Sequence, residues 1–283
     1  MNLLPGYDQH SMTIIGQFIR DRIYGSGMKK LVIGISGGLD SAVVLKIAAE
    51  MIGPDNVSAF FLPYGHLSEK DRPFAEKAAW SAGVKLNSVD ISPVVQAIPL
   101  EMEGMVLGNA QARARMVFLY SHANRDRELV LGTSNKTELL LGYFTKYGDG
   151  GADIYPIGDL FKTQVVQMAS EMGMPEEIIE RPPSAGLLDD QTDEGEIGLP
   201  YPILDQILMG YLSSLTVEEI VDGIDHTTIT VDQMDRSGFS PPITEEAVKG
   251  IFQTIARSRH KRWPLAVPKI GGSTVGLDLR ERW

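Results

Sequence analysis

Short apolar runs and helix-type segments alternate along the first half of this chain, and this alternation constrains the fold more than any other feature. The apolar run at residues 30–35 (KLVIGI) ends among glycines and leads into a helical pattern over residues 41–51. The same order recurs, with strand-type runs at 56–62, 85–89 and 128–131 and helix-type segments at 7–24, 72–82 and 109–124. Strands that alternate with helices predict the α/β class, a doubly wound parallel sheet with helices on both faces.

The second half is less regular. Residues 143–159 and 181–202 predict two long loops, and helix-type segments follow at 202–212, 217–222, 230–236 and 244–258. Loops of this length inside a compact domain are usually functional or disordered. The sequence shows no internal repeat and no clear linker, so we expect one domain over residues 1–283.

Composition excludes several classes of function. The net charge of -11 makes nucleic acid a poor partner, because an acidic surface repels phosphate backbones. The chain has no cysteine, which excludes disulfides, thiolate metal sites and thiol nucleophiles. The N-terminal residues do not resemble a signal peptide, and no apolar stretch is long enough to span a membrane. We therefore expect a cytoplasmic protein without a membrane partner.

The stretch GISGGLDS, residues 34–41, follows the first strand and has the composition of a phosphate-binding loop. It lacks the lysine of a Walker loop and the spacing of a dinucleotide fingerprint. Backbone N–H groups at a helix N-terminus still form an anion site, to which Ser36 and Ser41 add hydroxyl donors. Asp40 would repel a phosphate unless a cation such as Mg²⁺ lies between them. The alternative is a tight turn in which Asp40 only caps the helix.

The same stretch resembles the SGGxDS loop of ATP pyrophosphatases, enzymes that activate a substrate by adenylylation. Longer stretches are similar to one family among them, the NAD synthetases: residues 131–165, GNAQARARM (108–116), PSAGLLDDQTDE (183–194) and RHKRWP (259–264). Family members often have Asp where this chain has Gly186, which puts a role for that side chain in doubt.

The resemblance implies a reaction, its cofactors and its partners. ATP adenylylates the nicotinate carboxylate of deamido-NAD with release of pyrophosphate, and ammonia then displaces AMP to give NAD⁺. The cofactor is Mg²⁺, and ATP is a co-substrate. The family is homodimeric, with the first helix and the 109–124 helix as candidate interface elements. Some members carry a glutaminase domain with a Cys nucleophile; this chain has no Cys, so we expect it to use free or delivered ammonia.

The resemblance also implies roles for individual residues. Asp40 and Glu138 match the magnesium carboxylates, and these two with Lys162 form the expected catalytic set. The expected ATP-binding residues are Gly34, Ile35, Ser36, Gly37, Gly38, Leu39, Asp40, Ser41, Thr133, Lys162 and Ser184. The expected deamido-NAD-binding residues are Arg113, Lys146, Asp149, Asp153, His260 and Lys261.

Each role has a less specific alternative. Arg113 could be a solvated helix residue, Glu138 a first-turn acid, and His260 and Lys261 plain surface charge. The acidic run at residues 189–196 is expected to be a mobile lid whose charges are mostly solvated. Another ATP pyrophosphatase, such as a tRNA thiolase or a GMP synthetase core, is the alternative enzyme. A non-catalytic nucleotide sensor on the same fold is the alternative outside catalysis, disfavoured because both magnesium carboxylates are present.

Overall fold

A parallel sheet of four strands forms the centre of the molecule in the computed structural model, which describes residues 3–65, 69–184 and 192–262. The strands are β1 (Lys30–Gly34), β2 (Val57–Phe61), β3 (Leu86–Ser88) and β4 (Glu128–Leu131), in the order β3-β2-β1-β4. Leu31 of β1 lies opposite Val57 on one side and Leu129 on the other. The strand order therefore reverses between β1 and β4. In sheets of this kind, ligands bind beyond the carboxyl ends of the strands at the place where the order reverses.

Helices follow the strands and continue into the second half. In chain order they are α1 (Ser11–Ser26), α2 (Leu39–Ile52), α3 (Arg72–Ser81), α4 (Ser92–Gln96), α5 (Gly104–Asp126), α6 (Lys136–Leu141), α7 (Lys162–Glu171), α8 (Glu176–Ile179), α9 (Asp193–Ile197), α10 (Tyr201–Leu212), α11 (Val217–Gly223), α12 (Val231–Ser237), α13 (Glu245–Arg257) and α14 (Arg259–Arg262). In the described ranges none of them is long and apolar enough to cross a bilayer.

The alternating side chains of β1 explain why both faces of the sheet are covered. Leu31 and Ile33 are fully buried in a core shared with α1, α2, α3 and α7. Val32 points to the opposite face, where it is buried with residues of α4 and α5. Successive residues of a strand face opposite sides, so an uninterrupted apolar run requires helices on both. The predicted doubly wound α/β sheet is therefore confirmed.

A second apolar cluster is built mainly from helices. Ile203, Leu204 and Ile207 of α10 are fully buried, and α6, α11 and α13 pack around them. Helix α10 also contacts α7, which belongs to the core of the sheet. The expectation of a single domain over residues 1–283 stays a prediction, because part of the chain lies outside the described ranges.

The acidic run at residues 189–196 differs from its expected, mostly solvated state. The acidic run was expected to be solvated, but Asp193 and Glu194 are 4% and 1% exposed. They begin α9, where Glu194 pairs with Arg236 and Asp193 accepts a hydrogen bond from Tyr201. The expectation is therefore wrong for these two residues, because tertiary partners bury their charges. Asp189 and Asp190 of the run, with Gly186, lie outside the described residues.

Candidate functional site

The turn between β1 and α2 has the geometry of an anion site. The Oγ of Ser41 donates to the carbonyl of Gly38 at 3.0 Å and accepts the N–H of Ser36 at 3.3 Å. The N–H of Gly38 donates to the Oγ of Ser36 at 3.2 Å. These bonds hold a compact loop at the start of a 14-residue helix, whose first N–H groups have no partner inside the helix.

Asp40, in the first turn of α2, is held by residues distant in sequence. Lys162 at the start of α7 forms an ion pair with its Oδ2. The side-chain amide of Asn135 donates to its Oδ1 at 3.2 Å. Burial lowers the pKa of Lys162, but the charges of Asp40 and Glu138 outweigh it, and the net shift is upward. Lys162 is therefore a buried, charged ammonium group between carboxylates.

Glu138 reaches the same place from α6 because of a capping box. Asn135 accepts the N–H of Glu138 at 3.0 Å, and the Oε2 of Glu138 accepts the N–H of Asn135 at 3.1 Å. Burial raises the pKa of Glu138 well above its ordinary value, and the like charge of Asp40 raises it further. Glu138 therefore forms the capping interaction, and the same interaction holds its desolvated carboxylate near Asp40.

A third acid, Asp193, completes this cluster, which consists of Asp40, Glu138, Asp193 and Lys162. The Oδ2 of Asp193 accepts the hydroxyl of Tyr201 at 3.1 Å, while its buried Oδ1 has no hydrogen-bond partner. Burial raises the pKa of Asp193, and the charge of Lys162 opposes that shift. When ionised, three carboxylates exceed one ammonium by two charges. A buried excess of negative charge is costly unless a cation compensates it.

The cluster lies on the wall of a cleft of about 1340 Å³ beyond the carboxyl ends of β1 and β4. Residues 142–145, 148, 149 and 151 also line the cleft, and Lys261 fixes this segment by donating to the carbonyls of Gly142 and Phe144, each at 2.7 Å. Asp149 accepts the N–H of Thr145 at 2.9 Å, and burial among the surrounding atoms raises its pKa. Asp149 nevertheless remains solvent-exposed and is part of the cleft lining, so this acid is accessible from the cleft.

Most of the residues expected to bind ATP lie on the cleft wall. They are Gly34, Ile35, Ser36, Gly38, Leu39, Asp40, Ser41, Thr133, Lys162 and Ser184, together with Glu138, Asp149 and Lys261. Gly37 is the one residue of the expected ATP-binding set that is not part of the cleft lining, and its φ is positive, at 84°.

The cleft of the described chain does not include Arg113, Lys146, Asp153 or His260. Arg113 is exposed and donates to the carbonyl of Lys146 at 3.3 Å. Asp153 accepts the N–H of Val130 at 2.7 Å and the hydroxyl of Tyr120 at 3.0 Å. His260 is exposed on α14. Ligand binding by these four residues stays a prediction.

Sequence reasoning did not select four residues that the structure brings to the cleft: Arg115, Arg181, Asp193 and Tyr201. Arg115 donates from Nε to the carbonyl of Leu62 at 2.9 Å, and burial lowers its pKa. Its position two residues after Arg113 gave no sign of which arginine faces inward. The sequence shows an acidic run around Asp193, but a run of acids does not indicate which member is buried.

One histidine-carboxylate cluster lies away from the cleft. Among the described residues, His122, Asp126 and Glu128 come together near the amino end of β4. The Nδ1 of His122 lies 3.1 Å from Glu128, and its Nε2 lies 3.3 Å from Asp126. Both ring nitrogens already face a carboxylate, so we interpret the cluster as a structural link between α5 and β4.

Comparison with known proteins is consistent across sequence and structure. The family model NAD synthase matches residues 11–264. The NH3-dependent NAD⁺ synthetase of Methanosarcina mazei is 38% identical over 269 residues, which cover 93% of this chain and 98% of that protein. The structure of the NMN synthetase from Francisella tularensis has a TM-score of 0.74 at 29% identity, covering 93% of this chain and 98% of that one. The structure of the NH3-dependent NAD synthetase from Campylobacter jejuni has a TM-score of 0.65 at 27% identity. The match covers 84% of this chain and 100% of that one.

Proposed function

The chain belongs to the NAD synthase family, and on that premise we propose that it is a ligase that amidates deamido-NAD to NAD⁺ with ammonia and ATP. One observation of this chain supports the proposal independently of family membership. The phosphate loop, two facing carboxylates and a buried lysine lie on one cleft wall, although they come from α2, α6 and α7. Such a site can hold a triphosphate and stabilise its departing part.

The proposed first step is adenylylation of the nicotinate carboxylate. A carboxylate oxygen forms a bond to the α-phosphorus of ATP, the bond between that phosphorus and the bridging oxygen breaks, and pyrophosphate leaves. The loop at residues 34–41 would bind the β- and γ-phosphates through N–H groups and the hydroxyls of Ser36 and Ser41. Lys162 would supply positive charge from the side of α7. Bringing two anions together is the main barrier here, so positioning and charge neutralisation are the expected work of the protein.

The proposed second step is aminolysis of the mixed anhydride. The nitrogen of ammonia forms a bond to the acyl carbon, the bond from that carbon to the phosphate oxygen breaks, and AMP leaves with that oxygen. One proton passes from the nitrogen to water. We propose that Asp149 interacts with the nicotinate end, which its place in the lining of the same cleft and its raised pKa support.

We propose that Asp40 and Glu138 also hold Mg²⁺. Oxygen ligands from one or two carboxylates plus substrate phosphates suit this ion. The excess of negative charge in the cluster and the unpartnered oxygen of Asp193 support a cation there. Bound Mg²⁺ would neutralise the phosphates of ATP and the leaving pyrophosphate. Because Lys162 pairs with Asp40, that carboxylate would be shared between the lysine and the metal.

A homodimer would explain why some expected ligand residues lie outside the cleft. Val106, Arg113 and Val117 are spaced by seven and four residues on α5, so they share one helix face. Val106 is 60% exposed and Val117 is 50% exposed. We propose that a second copy covers this face, and that Arg113 and Lys146 contact deamido-NAD where two copies meet.

The small-molecule substrates favour a cytoplasmic location for this protein. That location stays a prediction.

A mononucleotide is the second candidate substrate. The observation that favours it is the likeness to the Francisella tularensis protein, which is described as an NMN synthetase. The chemistry at the carboxylate would be the same, and only the adenylate half of the substrate would be missing. A comparison of kcat/KM for deamido-NAD and nicotinate mononucleotide distinguishes the two candidates.

The proposed function is tested by pyrophosphate release from ATP. With Mg²⁺ and an ammonium salt, we expect release to depend on deamido-NAD and to match NAD⁺ formation one to one. Glutamine should not replace ammonium, since this chain has no Cys to attack an amide. Pyrophosphate release without an acid substrate, or equal rates with glutamine, would contradict the proposal.

A further inference from the structure

Arg181, immediately before the segment that carries Ser184, contacts the phosphate loop at Gly37, a loop residue outside the cleft lining. Its Nη1 donates to the carbonyl of Gly37 at 3.0 Å, and its Nη2 forms an ion pair with Asp71. We propose that Arg181 is a positioning residue for ATP, which acts through the Gly37 carbonyl and Asp71 and does not need to touch the nucleotide. The inference rests on the proposed use of ATP, and it concerns a residue that neither motif nor resemblance singled out.

The contact fixes the orientation of one peptide group in the loop. The carbonyl of Gly37 and the N–H of Gly38 belong to the same planar trans peptide, so they point in opposite directions. With the carbonyl held by Arg181, the N–H of Gly38 faces the loop interior and reaches the Oγ of Ser36 at 3.2 Å. Arg181 thereby determines which way a backbone donor of the anion site points.

Close packing behind Gly37 shows that this arrangement is specific. Gly37 has a φ of 84°, a conformation that other residues rarely adopt. A Cβ at this position would lie 2.7 Å from the carbonyl oxygen of Asp71, 3.1 Å from Nη1 of Arg181 and 3.1 Å from Cβ of Phe74. Any residue other than glycine would push the loop away from Asp71 and Arg181.

The guanidinium group is itself held on several sides. It lies 4.4 Å from the ring centroid of Phe74, in the first turn of α3. The side chains of Arg181 and Asp71 are only 24% and 15% exposed, so water screens their ion pair weakly. A planar group with a fork of donors suits simultaneous contacts to a carboxylate, a carbonyl and a ring, whereas lysine offers a single ammonium.

Arg181 also connects the loop to a second wall of the cleft. Pro182, Pro183 and Ser184 follow it along the cleft, and the carbonyl of Pro183 accepts the N–H of Asp193 at 3.0 Å. A displacement of Arg181 would therefore disturb both the loop and the segment expected to contact ATP through Ser184. Loss of Arg181 should weaken ATP binding more than it slows the chemistry of bound ATP.

Binding of ATP to the full chain, measured by calorimetry with Mg²⁺ and without acid substrate, tests this inference together with KM and kcat. For Arg181→Gln we expect the Kd and KM for ATP to rise about 10-fold or more, with kcat changed less than about 3-fold. Asp71→Asn should raise Kd in the same direction, and Arg181→Lys should recover part of the loss. The double variant should be no weaker than Arg181→Gln, because both changes remove one interaction.

Lys77→Gln is the matched control. Lys77 and Glu177 form an exposed ion pair at 2.8 Å between α3 and α8, close in the chain to Asp71 and Arg181. We expect this variant to bind ATP like the wild type.

Two results would overturn the inference. The first is normal ATP affinity in a folded Arg181→Gln variant of lower Tm, which would make the contact merely structural. The second is normal affinity in Asp71→Asn with a large loss in Arg181→Gln, which would mean that arginine touches the nucleotide directly. If Arg181→Gln does not fold, the ATP affinity of folded Asp71→Asn decides, and a normal affinity would overturn the inference. Wild-type protein that fails to bind ATP would contradict the proposed function itself.

Discussion

At the scale of single residues, the surroundings of Asp40 govern what the cleft can do. One oxygen pairs with Lys162 and the other accepts from Asn135, so this carboxylate is oriented on both sides. Motif resemblance predicted the importance of Asp40, Glu138 and Lys162, and their meeting in one place agrees with that prediction. Asp193 could not be predicted in the same way, because its burial depends on Tyr201 and Lys162 rather than on its neighbours in sequence.

The first prediction concerns Asp40→Asn. Removal of this charge should lower kcat for pyrophosphate release about 100-fold or more, because groups that stabilise transition-state charge commonly contribute that much. Tm should change by only a few degrees, because the cluster retains Glu138 as a partner for Lys162 and loses one of its like charges. Steady-state kinetics and thermal unfolding measure the two effects.

Asp159→Asn is the control for that prediction. Asp159 pairs with Lys136 at 2.8 Å, but its side chain is 97% exposed and lies outside the cleft lining. Turnover by this variant should equal that of the wild type. A similar loss of kcat in both variants, or near-normal kcat in Asp40→Asn, would contradict the proposed role of Asp40.

At the scale of elements, the junction of α6, α7 and α10 sets the position of Lys162. Asp205 on α10 accepts the hydroxyl of Thr137 at 2.6 Å and the N–H of Thr163 at 2.9 Å. The N–H of Lys162 in turn donates to the Oγ of Thr137 at 3.0 Å. Asp205 thus links the helix that carries Glu138 to the helix that carries Lys162, through contacts that no local pattern predicts.

A pH dependence of stability follows from this junction. Burial raises the pKa of Asp205 from 3.8 to about 6, with the hydrogen bonds from Thr137 and Thr163 opposing the shift. Between pH 4 and 6 the unfolded chain loses this proton while the folded chain keeps it, so stability falls as pH rises. Asp205→Asn lacks the titrating carboxyl, and the wild type should lose about 2 kcal/mol of stability relative to this variant between pH 4 and 7.

Urea unfolding of both proteins across that range measures the difference. Asp222→Asn, which replaces an exposed acid on α11 outside this junction, is the control measured in the same way. A difference between wild type and Asp205→Asn that stays constant across this pH range would contradict the prediction.

Sequence patterns predicted elements well where side chains alternate regularly, and poorly elsewhere. The strands β1 and β4 and the helices α2, α3 and α10 begin and end within two residues of the expected bounds. The expected loop at 143–159 contains no helix or strand, whereas α9 and the start of α10 lie within the expected loop at 181–202. Helices α6 and α7 were not predicted, although Asn135 with Glu138 forms a capping box that a search for cap residues would find.

At the scale of the whole molecule, the exposed face of α5 leads to a prediction about assembly. Val106→Asp with Val117→Lys should convert a dimer to a monomer at micromolar concentration, because charges replace apolar contacts that a second copy would bury. The kcat/KM for deamido-NAD should fall at least about 10-fold if Arg113 acts where two copies meet. Sedimentation velocity and steady-state kinetics measure these effects.

Trp80→Gln is the control for assembly. Trp80 is 82% exposed on α3, which belongs to the other face of the sheet. This variant should sediment and react like wild type. A fully active wild-type monomer at micromolar concentration would contradict the proposed dimer.

The sequence by itself determined the phosphate loop and the family. A strand, a glycine turn and a helix within residues 30–52 form locally, so their order in the chain already predicts a candidate anion site next to Asp40. The tertiary structure decided which charges accompany that site. Asn135 and Lys162 are 95 and 122 residues from Asp40, and only the parallel pairing of β1 with β4 brings their segments to one edge. Burial then decided that Asp193 belongs to the cluster, since exposure depends on packing that sequence spacing does not encode.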